Sequence, residues 1–469
     1  MEVLRGPATQ HRAAVAALLA SYRSLAPGDP VRLAKPTSNL FRPRTSTAAP
    51  GLDVAGLSGI IDLDVAARTA DVQGMCTYEH LVEATLAHGL MPLVVPQLKT
   101  ITLGGAVTGL GIESTSFRHG LPHESVVEMD VLTGDGEIVT ASSTNEHADL
   151  FFAFPNSYGS LGYAVRLRIE LQPVSRYVAL RHVRFDALDD LADAVEVIST
   201  SHEWAAEPVE FLDGVMFEPE ESYLTLGRFV DDPSESGLLS ASDYTGQQIY
   251  YRSIRERRRD VLTVHDYLWR WDTDWFWCSQ AFGAQHPLAR RLWPARYRRS
   301  DVYHRIVGLE NRYGVMQRIE RWRGRPERER VVQDVEIPVN RTADFLHWFD
   351  HHVGMRPVWL CPLRLRERDG PETAQQWPLY PLRSGTTYVN AGFWGVVPIA
   401  PGHADGDVNT LIESAVAQRD GHKSLYSEAY YEENRFYEIY GGATYHQVKQ
   451  RYDRDHRLTG LYDKVVRRR

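Results

Sequence analysis

The chain has 469 residues, which is more than one hydrophobic core usually supports, so its length predicts two or three domains. Its 43% hydrophobic and 24% charged residues are typical of a globular protein, and no apolar run is long enough to predict a membrane-spanning helix. The formal net charge of −9 argues against nucleic acid as a partner. Three widely spaced cysteines predict neither disulfides nor a metal site, and they fit a reducing, cytoplasmic location.

The N-terminal region alternates predicted helices and strands. Apolar residues at helical spacing predict an amphipathic helix over residues 11–24, and β-branched apolar stretches predict strands over residues 57–63 and 69–72. Thr77 can begin a helix and Gly89 can end it, because a threonine hydroxyl accepts from the first turn and glycine adopts the conformation that terminates a helix.

Further strands complete this region. Residues 126–132 and 138–141 flank the turn Gly134-Asp135-Gly136 and predict a hairpin, and residues 165–171 predict a strand that Pro173 closes. Composition changes after this strand. We therefore predict an α+β protein with a first domain over residues 1–175 and a second domain over residues 176–469.

The second region carries clusters of arginine and of aromatic residues. The arginines between Arg252 and Arg259 predict either a contact with a phosphate or lipid headgroup or a solvated helix face, since Glu256 and Asp260 lie among them. The aromatic stretch from Trp269 to Trp277 predicts the lining of an apolar channel, a contact with a membrane surface, or ordinary core packing.

The segment with the strongest chemical signal is Thr102-Leu-Gly-Gly-Ala-Val-Thr-Gly-Leu-Gly-Ile-Glu-Ser114. Its four glycines permit positive φ angles and a close approach of the backbone to a ligand. Successive N–H groups in such turns can form a concave site for a pyrophosphate. The spacing fits neither a Rossmann fingerprint nor a Walker A loop, so a glycine-rich turn without a ligand is an equal alternative on spacing alone.

This segment resembles the central FAD loop of the vanillyl-alcohol-oxidase type of flavoproteins. The elements that follow that loop in the family also follow it here, namely the Gly-Asp-Gly turn, Asp149-Leu-Phe151 and Gly159-Ser-Leu-Gly162. Closer similarity is to the delta-24-sterol reductase (diminuto-like) branch. It lies in Gly109-Leu-Gly-Ile-Glu-Ser-Thr-Ser116, Phe154-Pro-Asn-Ser-Tyr-Gly-Ser-Leu-Gly162, Val331-Val-Gln-Asp-Val-Glu-Ile-Pro338, Trp359-Leu-Cys-Pro362, Ser424-Leu-Tyr-Ser-Glu-Ala-Tyr430 and Leu461-Tyr-Asp-Lys464.

The resemblance implies an FAD-binding first domain of the PCMH type and a substrate (cap) domain whose C-terminal segment returns to the flavin. It implies that FAD contacts Lys35, Thr37, Ser38, Asn39, Thr102, Leu103, Gly104, Gly105, Ala106, Gly109, Gly111, Ile112, Glu113, Ser114, Gly162 and Lys464. Covalent attachment in the family uses a histidine in the first loop or a cysteine before the glycine-rich loop. Residues 35–39 contain no histidine and residues 93–97 no cysteine, so we expect non-covalent FAD.

The resemblance also implies the reaction. Reductases of this branch pass a hydride from NADPH through the flavin to an isolated C=C bond, which requires a proton donor and a branched carbon that can carry positive charge. Only five lysines stand against 47 arginines, a bias typical of GC-rich genomes such as those of actinobacteria, some of which make 10-methyl acyl chains. The chain resembles the flavin reductase of that tuberculostearic-type synthesis, so a 10-methylene fatty acyl chain is the expected substrate.

Candidate proton donors are Glu113 in the glycine-rich segment, and Tyr430 and Glu433 near the C-terminus. Each has a structural alternative: Glu113 could cap backbone N–H groups of its own segment, Tyr430 could belong to an aromatic core strand, and Glu433 to a solvated helix start. A companion methyltransferase and the headgroups of the inner membrane face are the expected partners of such an enzyme.

Three other functions stay open. One is the reduction of a delta-24-sterol or isoprenoid alkene, and another is a sugar or alcohol oxidase, the commonest activity of the wider family. The third is a lipid-binding scaffold without catalysis. A yellow colour would exclude the scaffold, and slow reoxidation in air would separate a reductase from an oxidase.

Overall fold

The computed structural model describes residues 6–35, 51–313, 326–366 and 377–467. In the first region the helices are α1 (Pro7–Arg23), α2 (Tyr78–Leu86), α3 (Leu103–Gly109), α4 (Ser116–His119) and α5 (Ala148–Ala153). The strands are β1 (Ile60–Asp64), β2 (Thr69–Gln73), β3 (Leu90–Pro92), β4 (Val126–Leu132), β5 (Ile138–Ser142) and β6 (Tyr163–Pro173).

These strands form one antiparallel sheet in the order β1-β2-β6-β4-β5, with β3 also paired to β6. Buried and less buried residues largely alternate along β6, which is the pattern expected of a strand with one face on a core. Thr77 caps α2 as predicted, because its hydroxyl accepts from the N–H of His80 at 3.3 Å. The predicted hairpin of β4 and β5 and the strand ending at Pro173 are also confirmed.

The second region begins with β7 (Tyr177–Phe185) and contains β8 (Glu203–Trp204), β9 (Glu207–Pro208), β10 (Phe211–Glu218), β11 (Glu221–Val230), β12 (Arg259–Thr263), β13 (Arg328–Pro338), β14 (Val358–Leu363), β15 (Tyr388–Pro398) and β16 (His422–Lys423). Its helices are α6 (Leu188–Ser201), α7 (Tyr250–Glu256), α8 (Val264–Leu268), α9 (Pro287–Leu292), α10 (Ser300–Tyr313), α11 (Val339–His352) and α12 (Asp407–Ala417). The C-terminal helices are α13 (Glu433–Ile439), α14 (Gly442–Tyr452) and α15 (Leu461–Val465).

A sheet in the order β12-β7-β11-β10-β14-β15-β13-β16 organises this region. Helices α6 and α11 contribute Leu191, Val195, Phe345 and Phe349 to an aliphatic and aromatic core that includes residues of this sheet. A second core contains aromatic residues of the second region and residues from the strands of the first region. Helices alongside two antiparallel sheets make the predicted α+β fold.

The C-terminal helices return to the first region. Tyr452 at the end of α14 donates to Asp149 at 2.8 Å, and Arg457 donates to the hydroxyl of Tyr22 at 2.6 Å. Lys464 on α15 reaches the backbone beside Tyr158. The last residues of the chain therefore lie beside the glycine-rich segment, although they are distant from it in sequence.

Candidate active site

A cavity of about 670 Å³ lies between the two regions, a size typical of cofactor and small-molecule sites. The first region supplies the glycine-rich segment and the residues around it, and the second supplies side chains from β13, β14 and β15. Residues of both regions therefore form the cavity, and the parts of its wall differ in chemical character.

The glycine-rich segment begins with a short helix, α3, where the sequence predicts a loop. Thr102 precedes it in an extended conformation, and its hydroxyl accepts from the N–H of Gly105 at 3.2 Å. The four glycines permit positive φ angles, but none of them adopts one. Among the described residues, the positive φ in this segment belongs to Leu110, at 63°, which ends the helix.

Close packing explains the glycines instead. A Cβ atom on Gly104 would lie 2.7 Å from the carbonyl oxygen of Gly74, so the two backbones meet at a distance that only glycine allows. A Cβ atom on Gly111 would lie 2.9 Å from the ring of Pro96 and 3.3 Å from that of Pro122. These contacts fix the backbone that forms one wall of the cavity.

Cationic side chains lie along this wall. Lys35 Nζ lies 3.3 Å from the hydroxyl of Thr102, at the start of α3. Lys464 Nζ donates to the carbonyl oxygens of Tyr158 at 3.1 Å and Gly159 at 2.9 Å, and Arg32 also lines the cavity. Two lysines, one arginine and a glycine-rich backbone form a site suited to a diphosphate.

The opposite part of the cavity is aromatic. The aromatic wall comprises Trp275, Phe276, Trp359 and Trp394. The ring of Phe276 lies 4.5 Å from that of Trp394 and 5.3 Å from that of Trp359, both within the range of favourable aromatic pairs. Trp275, Phe276 and Trp359 are buried except where they face the cavity, so this part of the site holds little water.

Backbone strain is concentrated at the cavity. Trp275 and Phe276 are consecutive residues with φ angles of 46° and 59°. Leu110 and Tyr158 also have positive φ angles, and all four residues line the cavity. Each such conformation costs about 1–3 kcal/mol for a bulky side chain, and it persists only where the surroundings enforce it. Here the strain directs two aromatic rings into the site.

One carboxylate lies among the described residues that line the cavity. It belongs to Asp334 on β13, and Asn390 on β15 donates to it through Nδ2 at 2.9 Å. The hydroxyl of Tyr426 also hydrogen-bonds Asp334, and Trp394 Nε1 donates to that hydroxyl oxygen at 2.8 Å. We call Asp334, Asn390 and Tyr426 the Asp334 cluster.

Burial raises the pKa of Asp334 to about 6, and the hydrogen bonds from Asn390 and Tyr426 limit that rise because they stabilise the carboxylate. Asn390 is fully buried, and its Oδ1 has no hydrogen-bond partner among the described residues. Asp334 is not among the proton donors predicted from the sequence. The signal was present, since an aspartate interrupts the apolar strand Val331-Val-Gln-Asp-Val-Glu-Ile-Pro338.

Many residues predicted to contact FAD lie at this cavity. They are Lys35, Thr102, Gly104, Gly105, Ala106, Gly109, Gly111, Ile112 and Lys464. Four others lie behind the wall and are not among the lining residues, namely Leu103, Glu113, Ser114 and Gly162. Thr37, Ser38 and Asn39 lie outside the described residues. Gly162 serves packing, because a Cβ atom there would lie 2.5 Å from the side chain of Val131.

The three candidate proton donors lie away from the cavity. Glu113 is buried in an ion pair with Arg270, and its Oε1 also accepts from the N–H of Ser114 at 2.8 Å, as the capping alternative predicts. Tyr430 packs against Gly406, a site of positive φ. Glu433 is exposed at the first residue of α13, where the solvated alternative places it. None of the three is among the described residues that line the cavity.

Two of the predicted roles apply to different residues of the aromatic stretch from Trp269 to Trp277. Trp275 and Phe276 line the cavity, whereas Trp269, Trp271 and Trp277 belong to the core. In the arginine cluster, Arg255 pairs with Glu221 on the surface, and no arginine between residues 252 and 259 is among the described residues that line the cavity.

Cys278 also lines the cavity, and burial raises the pKa of its thiol to about 12. A thiol with this pKa is protonated at neutral pH and is a poor nucleophile. No histidine is among the described residues that line the cavity.

The residues present fit FAD. The cationic wall suits the diphosphate, and the aromatic wall suits a planar ring system. The cavity volume lies within the range of cofactor sites. The cofactor would therefore bridge the glycine-rich segment and the second sheet.

Comparison with known proteins gives the same cofactor. Residues 10–142 match the family described as FAD binding domain (FAD_binding_4). The chain is 25% identical to the human Delta(24)-sterol reductase over 420 residues, which cover 88% of this chain and 77% of that protein. Identity to the Arabidopsis thaliana Delta(24)-sterol reductase is 23%, over 86% of this chain and 74% of that protein.

A third similarity is local. Over 113 residues the chain is 40% identical to cytokinin dehydrogenase 6 of Oryza sativa, covering 24% of this chain and 21% of that protein. Together the matches identify an FAD-binding protein and support an oxidoreductase. Within the described ranges, no helix combines the length and apolarity needed to cross a membrane.

Proposed function

We propose that this protein is an FAD-dependent reductase that transfers hydride from NADPH to an isolated, branched C=C bond, and that its substrate is a 10-methylene fatty acyl chain. The observation that carries the proposal is one cavity with a cationic, glycine-rich wall, an apolar aromatic wall and a single described carboxyl group between donors. Such a combination suits hydride transfer to an apolar substrate that needs one proton.

The relatives support reduction of a carbon–carbon double bond. The proteins that align with most of this chain are named reductases of a sterol at its delta-24 position. The aligned part covers 88% of this chain, so the similarity extends well beyond the FAD binding domain into the second region. An oxidase would share the FAD binding domain without requiring similarity in this second region.

An isolated alkene has no carbonyl group to stabilise negative charge, so hydride addition needs proton transfer to the other carbon. Protonation of the less substituted carbon places positive charge on the more substituted one, which then accepts the hydride. The overall reaction consumes one NADPH and one proton, and it converts the terminal methylene group into a methyl branch on a saturated carbon. When bound, FAD supplies hydride acceptance and donation.

The chain's own residues perform the remaining tasks. Lys35, Lys464 and the backbone of α3 would hold the diphosphate, and the rings of Trp275, Phe276 and Trp394 would exclude water from the reacting carbons. Aromatic faces also stabilise nearby positive charge, which develops on the tertiary carbon. A methyltransferase that creates the methylene branch would supply the substrate, which lies in or near a lipid surface.

NADPH is proposed to use the same cavity. Only one glycine-rich nucleotide segment is apparent in the sequence, so the reductant and the alkene would occupy the site in turn. Alternate occupation predicts ping-pong kinetics, with parallel lines in a double-reciprocal plot.

The decisive experiment follows the yellow protein anaerobically at its visible flavin band. NADPH is added first, and then lipid bearing a methylene-branched acyl chain. Bleaching by NADPH followed by recovery with the lipid supports both half-reactions. Recovery with a sterol or isoprenoid alkene, but not with the lipid, would keep the reductase and reject the acyl substrate. No bleaching by NADPH, together with bleaching by a sugar or alcohol, would overturn the proposal.

A further inference from the structure

The proposed reaction needs a proton donor, and the Asp334 cluster lies at the same cavity. Asp334 lies opposite Gly392 in the pairing of β13 with β15, and a Cβ atom on Gly392 would overlap with Asp334 Oδ1. The same Cβ atom would lie 2.7 Å from the ring of Trp394. Glycine at this position therefore leaves the space that the carboxyl group and the indole ring occupy.

The hydrogen bonds around Asp334 have a defined direction. Trp394 Nε1 can only donate, so the oxygen of Tyr426 accepts from it at 2.8 Å. The hydroxyl hydrogen of Tyr426 is then directed to Asp334, and Asn390 Nδ2 donates to Asp334 Oδ1 at 2.9 Å. Asp334 is held from two sides, and it is one of the residues that line the cavity.

We infer that Asp334 is the proton donor of the alkene reduction, with Tyr426 and Asn390 as positioning residues; this inference rests on the proposed function. As the O–H bond of the Asp334 carboxyl group breaks, its proton forms a C–H bond at the less substituted carbon with the two π electrons. The tertiary carbon would then accept the hydride that bound FAD supplies at the expense of NADPH. Asp334 is left as a carboxylate and regains one proton from water.

Other buried acids fit this role less well. Glu336 lies two residues further along β13, but its Oε1 accepts from Ser424 at 2.6 Å and it is not among the lining residues. Glu113 is paired with Arg270 behind the wall. Asp334 combines access to the cavity with a pKa raised to about 6, near the range in which a general acid works best at neutral pH.

The test compares Asp334→Asn with Glu336→Gln, a neutral replacement of the neighbouring buried carboxyl group. Both half-reactions are measured anaerobically by stopped flow. In Asp334→Asn, bleaching by NADPH should keep the wild-type rate, whereas reoxidation by the alkene should slow by about 100-fold or more. Glu336→Gln should be reoxidised at a rate within a few-fold of wild type. Wild-type reoxidation by the alkene in Asp334→Asn would overturn the inference, as would a selective loss in Glu336→Gln.

Two further variants distinguish proton donation by Asp334 from a purely structural effect of this residue. Tyr426→Phe keeps the ring and removes the hydrogen bond to Asp334, and Asp334→Glu keeps an acid while moving it. Both should retain reoxidation at a reduced rate with a displaced pH profile. A profile unchanged in both variants would contradict the assignment. The titratable groups that interact electrostatically with Asp334 are Tyr426, Glu336 and the thiol of Cys361, and burial raises the pKa of each of them.

A readout without turnover completes the test. Infrared difference spectra of the protein, recorded across the pH range around the pKa of Asp334, should show a protonated carboxyl band that Asp334→Asn removes and Glu336→Gln keeps. Absence of this band from the wild type would overturn the inference. Failure of the proposed function gives a different result from failure of the Asp334 inference. In that case no alkene would reoxidise the wild-type protein, but the infrared band of Asp334 would be unaffected.

Discussion

Glu113 Oε1 lies 3.0 Å from Nη2 of Arg270, and this buried contact joins the glycine-rich segment to the cap region. The same nitrogen of Arg270 donates to Asp213 at 2.8 Å, so one guanidinium serves two carboxylates. Trp271 Nε1 also donates to Asp213 at 3.0 Å. Arg270 thus connects the glycine-rich segment, through Glu113, to strand β10, which carries Asp213.

Removal of Arg270 should destabilise the protein strongly. Arg270→Met leaves Glu113 and Asp213 buried without their cation, and loss of one partner of a buried ion pair typically costs about 3–5 kcal/mol. Urea unfolding followed by tryptophan fluorescence measures this loss. Arg299→Met is the control, because Arg299 pairs with Glu79 at a partly exposed site and should cost about 1 kcal/mol or less. Equal losses in the two variants would contradict this account of the buried pair.

Two neighbouring glycines should differ in their tolerance of alanine. In Gly104→Ala the new Cβ meets backbone of Gly74, which cannot move away without distorting the wall, so a loss of about 1–3 kcal/mol is expected together with weaker FAD binding. In Gly105→Ala the new Cβ lies 2.8 Å from the side-chain hydroxyl of Thr102, which can rotate away. That rotation breaks the cap of α3, so a loss of about 1 kcal/mol is expected. Thermal unfolding of both variants tests the order. A more damaging Gly105→Ala would show that close backbone packing is not what constrains Gly104.

Lys464 should contribute to FAD affinity rather than to the fold. Lys464→Ala removes a cation from the cavity wall, and the loss of one charge-assisted contact predicts an FAD dissociation constant about tenfold higher. Fluorescence titration of the apoprotein with FAD measures it. Lys99→Ala is the matched control, because Lys99 pairs with Glu79 outside the cavity. An unchanged dissociation constant in Lys464→Ala would remove Lys464 from the cofactor site.

The raised pKa of Asp334 predicts a pH dependence of stability. Its folded value of about 6 lies above the ordinary 3.8, so the folded state holds this proton more tightly than the unfolded chain. The resulting stabilisation, about 3 kcal/mol, is present below the ordinary pKa and is lost as pH rises through the folded pKa. The free energy of unfolding of the wild type, relative to Asp334→Asn, should therefore fall between about pH 4 and pH 7. A difference that is independent of pH would contradict the buried, protonated state of Asp334.

The sequence predicts much of the first region because its signals are local. The hydroxyl of Thr77 and the alternation along β6 act within a few residues, so the cap and the strand follow from short patterns. Resemblance to known flavoproteins also led to Lys35 and Lys464, which both line the cavity. The positive φ at Leu110 could not be predicted, because a bulky residue between glycines rarely adopts this conformation.

The Asp334 cluster shows the limit of sequence patterns. Asp334, Asn390 and Tyr426 come from three separate segments, and only the pairing of β13 with β15 and the return of the chain after β16 bring them together. Glu113, by contrast, is close in sequence to the glycines, and its side chain nevertheless points away from the cavity because Arg270 neutralises it. Distance along the chain was therefore a poor guide to the proton donor.

Product stoichiometry tests whether the protein reduces a branched alkene with electrons from NADPH. Purified holoenzyme is incubated without oxygen with NADPH and lipid bearing 10-methylene acyl chains, and the chains are then analysed by mass spectrometry. The account predicts one saturated 10-methyl chain for each NADPH consumed. Consumption of NADPH without saturated product from this lipid, or from a delta-24-sterol or isoprenoid alkene, would contradict it.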